Sequence, residues 1–166
     1  MNTLWAYFWP PLGAGLAVGV IAGAVAFRRR RRRYVILALG VIVSLALAAL
    51  WHGPIGGADR FSTEVERGLR KTLVYYEMTQ VTAQLHRAPL TRRVLLSGPA
   101  DDFQRSELSR LIDQVPGVAG ASWSSRAGGL PLIVEGGALA VLGFLFGLLL
   151  AYLIELRRRY NAQWNW

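Results

Sequence analysis

Two histidines, one acid at the head of an apolar run and scattered serines and threonines are the material for chemistry here, because the 166-residue chain contains no cysteine. Without thiols there are no disulfides, iron–sulfur clusters, thiolate zinc sites or thiol nucleophiles. His86 stands near Arg87, Arg92 and Arg93 as a conceivable base for a neighbouring hydroxyl. No carboxylate is spaced to orient it, so a surface turn residue is the simpler assignment. His52 follows Trp51 at the edge of an apolar run. It either caps that boundary or ligates the metal of a haem or chlorin, and no second ligand is visible. Glu135 is the acid; carboxylates inside a membrane are candidate proton or ion sites. It is five residues past Leu130, about 7–8 Å of helix, a depth that equally suits the headgroup region. These residues assemble neither an acid–base pair nor a metal constellation, which points to a protein that is not an enzyme and carries no cofactor.

The elements that hold these residues are set by hydrophobicity and charge. The hydrophobic class makes up 53% of the chain and charged residues 17%, with a formal charge of +9. An isoelectric point near 11 ordinarily suggests nucleic acid, but position decides. From His52 to Glu135 there are 10 basic and 9 acidic residues, close to neutrality. The excess lies in Arg28, Arg29, Arg30, Arg31, Arg32 and Arg33, and in Arg157, Arg158 and Arg159. Arginines flanking apolar segments mark membrane topology, not a nucleic-acid groove.

Three apolar runs follow. Leu12 to Phe27 is uncharged, preceded by Trp5, Tyr7, Phe8 and Trp9 as an interfacial aromatic belt, with Pro10 and Pro11 suiting a helix start. Its 16 residues reach about 24 Å as a helix, a little under a bilayer core. A cleaved signal peptide would carry its basic residues before the run, and here they come after it. Tyr34 to Trp51 is the second span and Leu130 to Leu156 the third, ending on Glu155 and the second arginine cluster. Six arginines separate the first two spans, so these form a hairpin with its tip in the cytoplasm. With the second cluster also inside, the N-terminus and residues 53–129 lie outside, in the periplasm of a bacterium with two membranes.

Gly15, Gly19 and Gly23 repeat every four residues, and Gly143 with Gly147 gives one such step in the third span. Small residues at this spacing let helix backbones approach closely. The faces pack either within the chain, against Tyr34 to Trp51, or against another membrane protein. The arginines serve topology and are suited to anionic lipid headgroups. Trp5, Trp9, Trp51, Trp164 and Trp166, with Tyr160, read as interface anchors, the last three in a basic and aromatic cytoplasmic tail, residues 157–166.

From Asp59 the apolar residues become periodic. Thr63 with Glu66 forms a capping-box pattern ahead of Val65, Leu69, Leu73 and Tyr76, an amphipathic helix. Val81, Ala83 and Leu85 alternate, His86 to Thr91 suits a turn, and Val94 to Ser97 resumes strand composition. Asp101 with Gln104 repeats the capping box before Leu108, Leu111, Ile112 and Val115, and Pro116–Gly117 stops that helix. Val118 to Ser124 completes an order αββαβ. The stretch Arg93 to Trp123, RVLLSGPADDFQRSELSRLIDQVPGVAGASW, resembles the second half of a BON domain. A strand ends in Leu-x-Gly, a helix follows, and a Pro-Gly-Val turn leads to a last strand, with Leu96, Gly98, Gly117 and Val118 on the family's marked positions. The resemblance covers about residues 59–125 and implies a non-catalytic envelope module associated with phospholipid or protein contacts.

The expected fold class is therefore an α-helical membrane protein with three transmembrane helices and a small α+β, BON-like extracytoplasmic domain. Its parts are a hairpin over 1–52 (spans 12–27 and 34–51), a domain with linkers over 53–129, a third helix over 130–156 and the tail. The function expected is an accessory or scaffold subunit in the bacterial inner membrane, with other membrane subunits and anionic lipids as partners. The alternatives are a stand-alone lipid-binding envelope protein and a homo-oligomeric channel using Glu135.

Overall fold

The computed structural model describes residues 3–28, 30–124 and 128–163. They fall into two compact units: residues 8–55 with 136–163, and residues 3–7 with 56–135. Among the described residues three helices are long and apolar enough to cross a membrane, which makes this a multi-pass membrane protein by length and composition.

The first unit is helical. Helix α1 runs Thr3–Arg28, a 3-10 turn spans Arg30–Arg32, α2 is Arg33–His52 and α5 is Leu132–Gln163. Their 26, 20 and 32 residues correspond to about 39, 30 and 48 Å, all sufficient for a hydrocarbon core of about 30 Å. Two expectations change. Pro10 and Pro11 lie inside α1, not at its start. Each prolyl nitrogen lacks a proton, so two ladder bonds are missing there, and membrane helices tolerate this where neighbouring groups take over. The third helix also runs past Leu156, so Arg157–Arg159 belong to it and the tail is helical through Gln163.

α2 buries one narrow stripe, Gly40, Ser44 and Ala48, spaced by four. The Ser44 hydroxyl donates to the Gly40 carbonyl at 2.9 Å, so a buried polar group is satisfied within its own helix. Most of the remaining side chains of the helix are apolar and exposed, among them Val35, Leu39, Ile42, Val43 and Leu50, as suits a lipid-facing surface.

The second unit has the order α3 (Gly57–Tyr75), β1 (Thr82–Arg87), β2 (Leu90–Ser97), α4 (Asp102–Asp113) and β3 (Gly120–Ser122). β1 and β2 form an antiparallel hairpin with Leu85 opposite Val94 and Ala83 opposite Leu96, turned at Ala88–Pro89. β3 adds parallel to β2, with Val94 opposite Ala121, so α4 is the crossover. Phe61, Val65, Leu69 and Leu73 make one buried stripe of α3. Leu108 and Ile112 of α4 join it, with Leu85, Val94 and Leu96 from the sheet, and these form the core.

The expected capping box on α4 is present in full: Gln104 N–H donates to Asp101 Oδ1 at 2.7 Å, and Asp101 N–H donates to Gln104 Oε1 at 3.1 Å. The one expected on α3 is not a cap. That helix begins six residues before Thr63, behind Gly56 at φ 78°, a left-handed conformation that glycine adopts without steric cost. β2 starts earlier than Val94, and β3 is shorter than the stretch Val118 to Ser124. Gly98 and Gly117 have φ of 137° and 103°. A Cβ on Gly98 would stand 2.6 Å from the Gln80 carbonyl oxygen, and one on Gly117 2.7 Å from Val65 Cγ2. Both positions require glycine for conformation and for space.

Candidate functional site

Three arrangements bring sequence-identified residues together. The first is the glycine seam of the helical unit. A Cβ on Gly15 would fall on the Ala140 carbonyl, one on Gly19 on the Phe144 carbonyl, and one on Gly23 2.6 Å from Ala151 Cβ. From the other side, Cβ atoms on Gly143 and Gly147 would strike the carbonyls of Leu12 and Leu16. The two glycine faces therefore mesh with each other, and the second span meets α1 beside them, where a Cβ on Gly40 would stand 3.0 Å from Ala22 Cβ. Gly15, Gly19 and Gly23 face Ala140, Phe144 and Ala151 in the same order, so α1 and α5 run parallel. A Cβ on Gly40 would stand 2.6 Å from Phe144 Cε2 and one on Gly137 3.5 Å from Leu45 Cδ2, so α2 is antiparallel to α5. Both glycine faces are thus packed inside the chain.

The second arrangement is at the roots of α1 and α5 within the α+β unit. Glu135, in the first turn of α5, faces Arg92 of β2, with Arg92 Nε 2.8 Å from Oε2. The Nε is buried and not aligned as a hydrogen bond, so the contact is an ion pair by distance. The two side chains keep only 23% and 19% of their exposure, and a pair this deep loses more when one partner is removed than a surface pair does. Just ahead of it, Thr91 bridges Pro131 in antiparallel fashion and Leu132 is fully buried. On α1, the Tyr7 ring packs 5.6 Å from that of Phe61 and is 3% exposed. Tyr7 and Phe8 are thus buried packing residues rather than members of an aromatic belt, whereas Trp5 and Trp9 are half exposed. In this geometry Glu135 is held by Arg92 at the start of α5.

The third is the arginine end of the bundle. Because α1 and α5 run parallel, their C-terminal ends meet: Phe27 and Tyr152 stack edge to face at 5.9 Å. Arg28 and Arg31–Arg33 then lie at the same end as Arg157–Arg159, all exposed. Arg159 Nε bonds Glu155 Oε1 at 3.0 Å, and the Arg33 guanidinium lies 4.6 Å over the Tyr34 ring. Between them is a cleft of about 240 Å³. Arg29, Trp164 and Trp166 lie outside the described residues, and of Arg30 only the backbone turn is described.

His86 sits in the hairpin with Nδ1 3.0 Å from the Pro89 carbonyl, in a shallow concavity beside Gln84, Leu95 and Trp123. The Trp123 indole donates to the Arg105 carbonyl at 3.1 Å. His52 and Trp51 end α2, half-buried. Among the described residues no three His, Asp or Glu side chains converge. Sequence reasoning missed Arg92 as the partner of Glu135 and Phe61 as that of Tyr7, both separated by dozens of residues. Comparison with known proteins adds no assignment: no family model, curated protein or solved structure matches the chain.

Proposed function

We propose that this is a non-enzymatic accessory or scaffold protein of a bacterial inner membrane that presents a BON-like α+β domain on the periplasmic side. The observation that carries this reading is the double root of the domain. The start of α1 packs on it through Tyr7 and Phe61, and the start of α5 through Leu132, the Thr91–Pro131 bridge and the Arg92–Glu135 pair. The first residues of α1 and α5 are thus part of the packing of the α+β unit itself, which suits a domain that presents a surface to a neighbour.

The orientation is supported by charge and helix direction together. Parallel α1 and α5 with antiparallel α2 gather both arginine clusters at one end, which the positive-inside preference assigns to the cytoplasm. The BON-like reading is supported by the order αββαβ and by the demand for glycine at 98 and 117. Since the glycine seam is internal, a partner subunit would meet the exposed side of α2, around Val35, Leu39, Ile42 and Val43, or the domain itself. Gentle solubilisation followed by native mass measurement tests the reading. A particle larger than the 18.3 kDa chain, holding a second protein at fixed stoichiometry, is expected. A monomer accompanied by lipid alone would refute it.

A further inference from the structure

We propose that the cleft at the arginine end of the helical unit is a binding site for the headgroup of an anionic phospholipid, with Arg33 and Arg159 as its phosphate ligands. The cleft, about 240 Å³, is open on one side and lined by both α1 and α5. The lining divides by chemistry. Phe27, Tyr152 and Leu156 supply an apolar floor where α1 meets α5, and Arg33 and Arg159 supply guanidinium groups. A guanidinium carries five N–H donors in a planar fork matched to phosphate oxygens.

Both arginines are pre-oriented. The Glu155 carboxylate engages Arg159 at Nε, and the Tyr34 ring supports the Arg33 guanidinium from beneath. Glu155 also places one negative charge in the lining, but Arg28, Arg31, Arg32, Arg157 and Arg158 surround the same end, so the local field strongly favours an anion. The apolar floor next to the arginines separates a lipid from a free anion: glycerol and the first methylenes find surface there, and inorganic phosphate does not. Basic pockets between membrane helices are a recurrent setting for anionic headgroups. The proposal needs only that the helices cross a bilayer. It does not depend on the scaffold reading or on which side the arginines face.

The test uses the purified full chain in neutral detergent, titrated with phosphatidylglycerol or phosphatidylcholine and read by native mass spectrometry. One retained phosphatidylglycerol, preferred over phosphatidylcholine by about tenfold or more, is expected from two guanidinium contacts. Arg33→Gln with Arg159→Gln should lower that retention about tenfold, while Arg157→Gln with Arg158→Gln, removing equal charge outside the cleft, should lower it less than about threefold. Leu156→Trp fills the floor with every charge kept, and should lower retention as the cleft pair does. Wild-type thermal melting in each variant shows that the fold persists. Equal losses in the two arginine pairs, or full retention in Leu156→Trp, would reduce the effect to diffuse charge and overturn the site. Displacement of the lipid by millimolar inorganic phosphate would overturn it too, in favour of a free-anion site.

Discussion

Gly19→Ala adds a single methyl group to the seam between α1 and α5, and the structure fixes what that methyl meets. The new carbon would overlap the Phe144 carbonyl oxygen and stand 3.0 Å from the Phe144 Cα. Ordinary carbon contacts are about 3.5–4.0 Å, so the helices must part by roughly 0.5–1 Å, which forfeits a quarter to a half of the dispersion energy of each contact along the seam. The obstacle is backbone, which cannot rotate away as a side chain would. Overpacking of this kind costs about 1–3 kcal/mol. For a chain of this length that is a fall of about 2–12 °C in melting temperature. Gly13→Ala is the matched control: it lies in the same helix, and its Cβ would meet nothing within 4 Å. Gly147 approaches the same contact from the other side: a Cβ added there would stand 2.9 Å from the Gly19 Cα. Gly19→Ala and Gly147→Ala combined should therefore cost less than their sum. Thermal unfolding of the detergent-solubilised full chain, followed by tryptophan fluorescence, provides the measurement. Equal melting of Gly13→Ala and Gly19→Ala would refute the meshed seam.

Two further outcomes are expected in the α+β unit. Arg92→Met alone leaves Glu135 partly buried without its cation and should cost about 1–3 kcal/mol, whereas Arg92→Met with Glu135→Leu should restore most of it; amide exchange in the first turn of α5 reads both. Equal protection in the single and double variants would show that the pair does not hold the root. Gly117→Ala forces a left-handed φ on alanine and drives its methyl into Val65, so a loss of at least about 1–2 kcal/mol is expected in the same exchange assay, and none would contradict the turn.

What was legible in the sequence followed from short-range physics. The α4 cap was readable because Asp101 and Gln104 satisfy each other's backbone across three residues, with no help from the rest of the chain. The same pattern at Thr63 and Glu66 misleads, since a helix interior also tolerates those residues and the actual start uses the conformation of Gly56, which leaves no side-chain signature. Pro10 and Pro11 read as a helix boundary by rules for water, and the membrane setting relaxes them. Glycine spacing revealed two close-packing faces but not that each was the other's partner. A four-residue repeat states how near a neighbour comes, not which neighbour it is. Contacts made across long stretches of chain, Glu135 with Arg92 and Tyr7 with Phe61, have no local signal at all.

Sidedness is the claim that everything about the setting of this protein depends on, and the absence of cysteine makes it directly measurable. Ser97→Cys on β2 and Asn161→Cys near the end of α5 both replace exposed residues. In spheroplasts, a membrane-impermeant maleimide should modify the cysteine at 97 at once and the one at 161 only after the membrane is permeabilised. Immediate labelling at 161 with protection at 97 would place the α+β domain in the cytosol and contradict the proposed orientation.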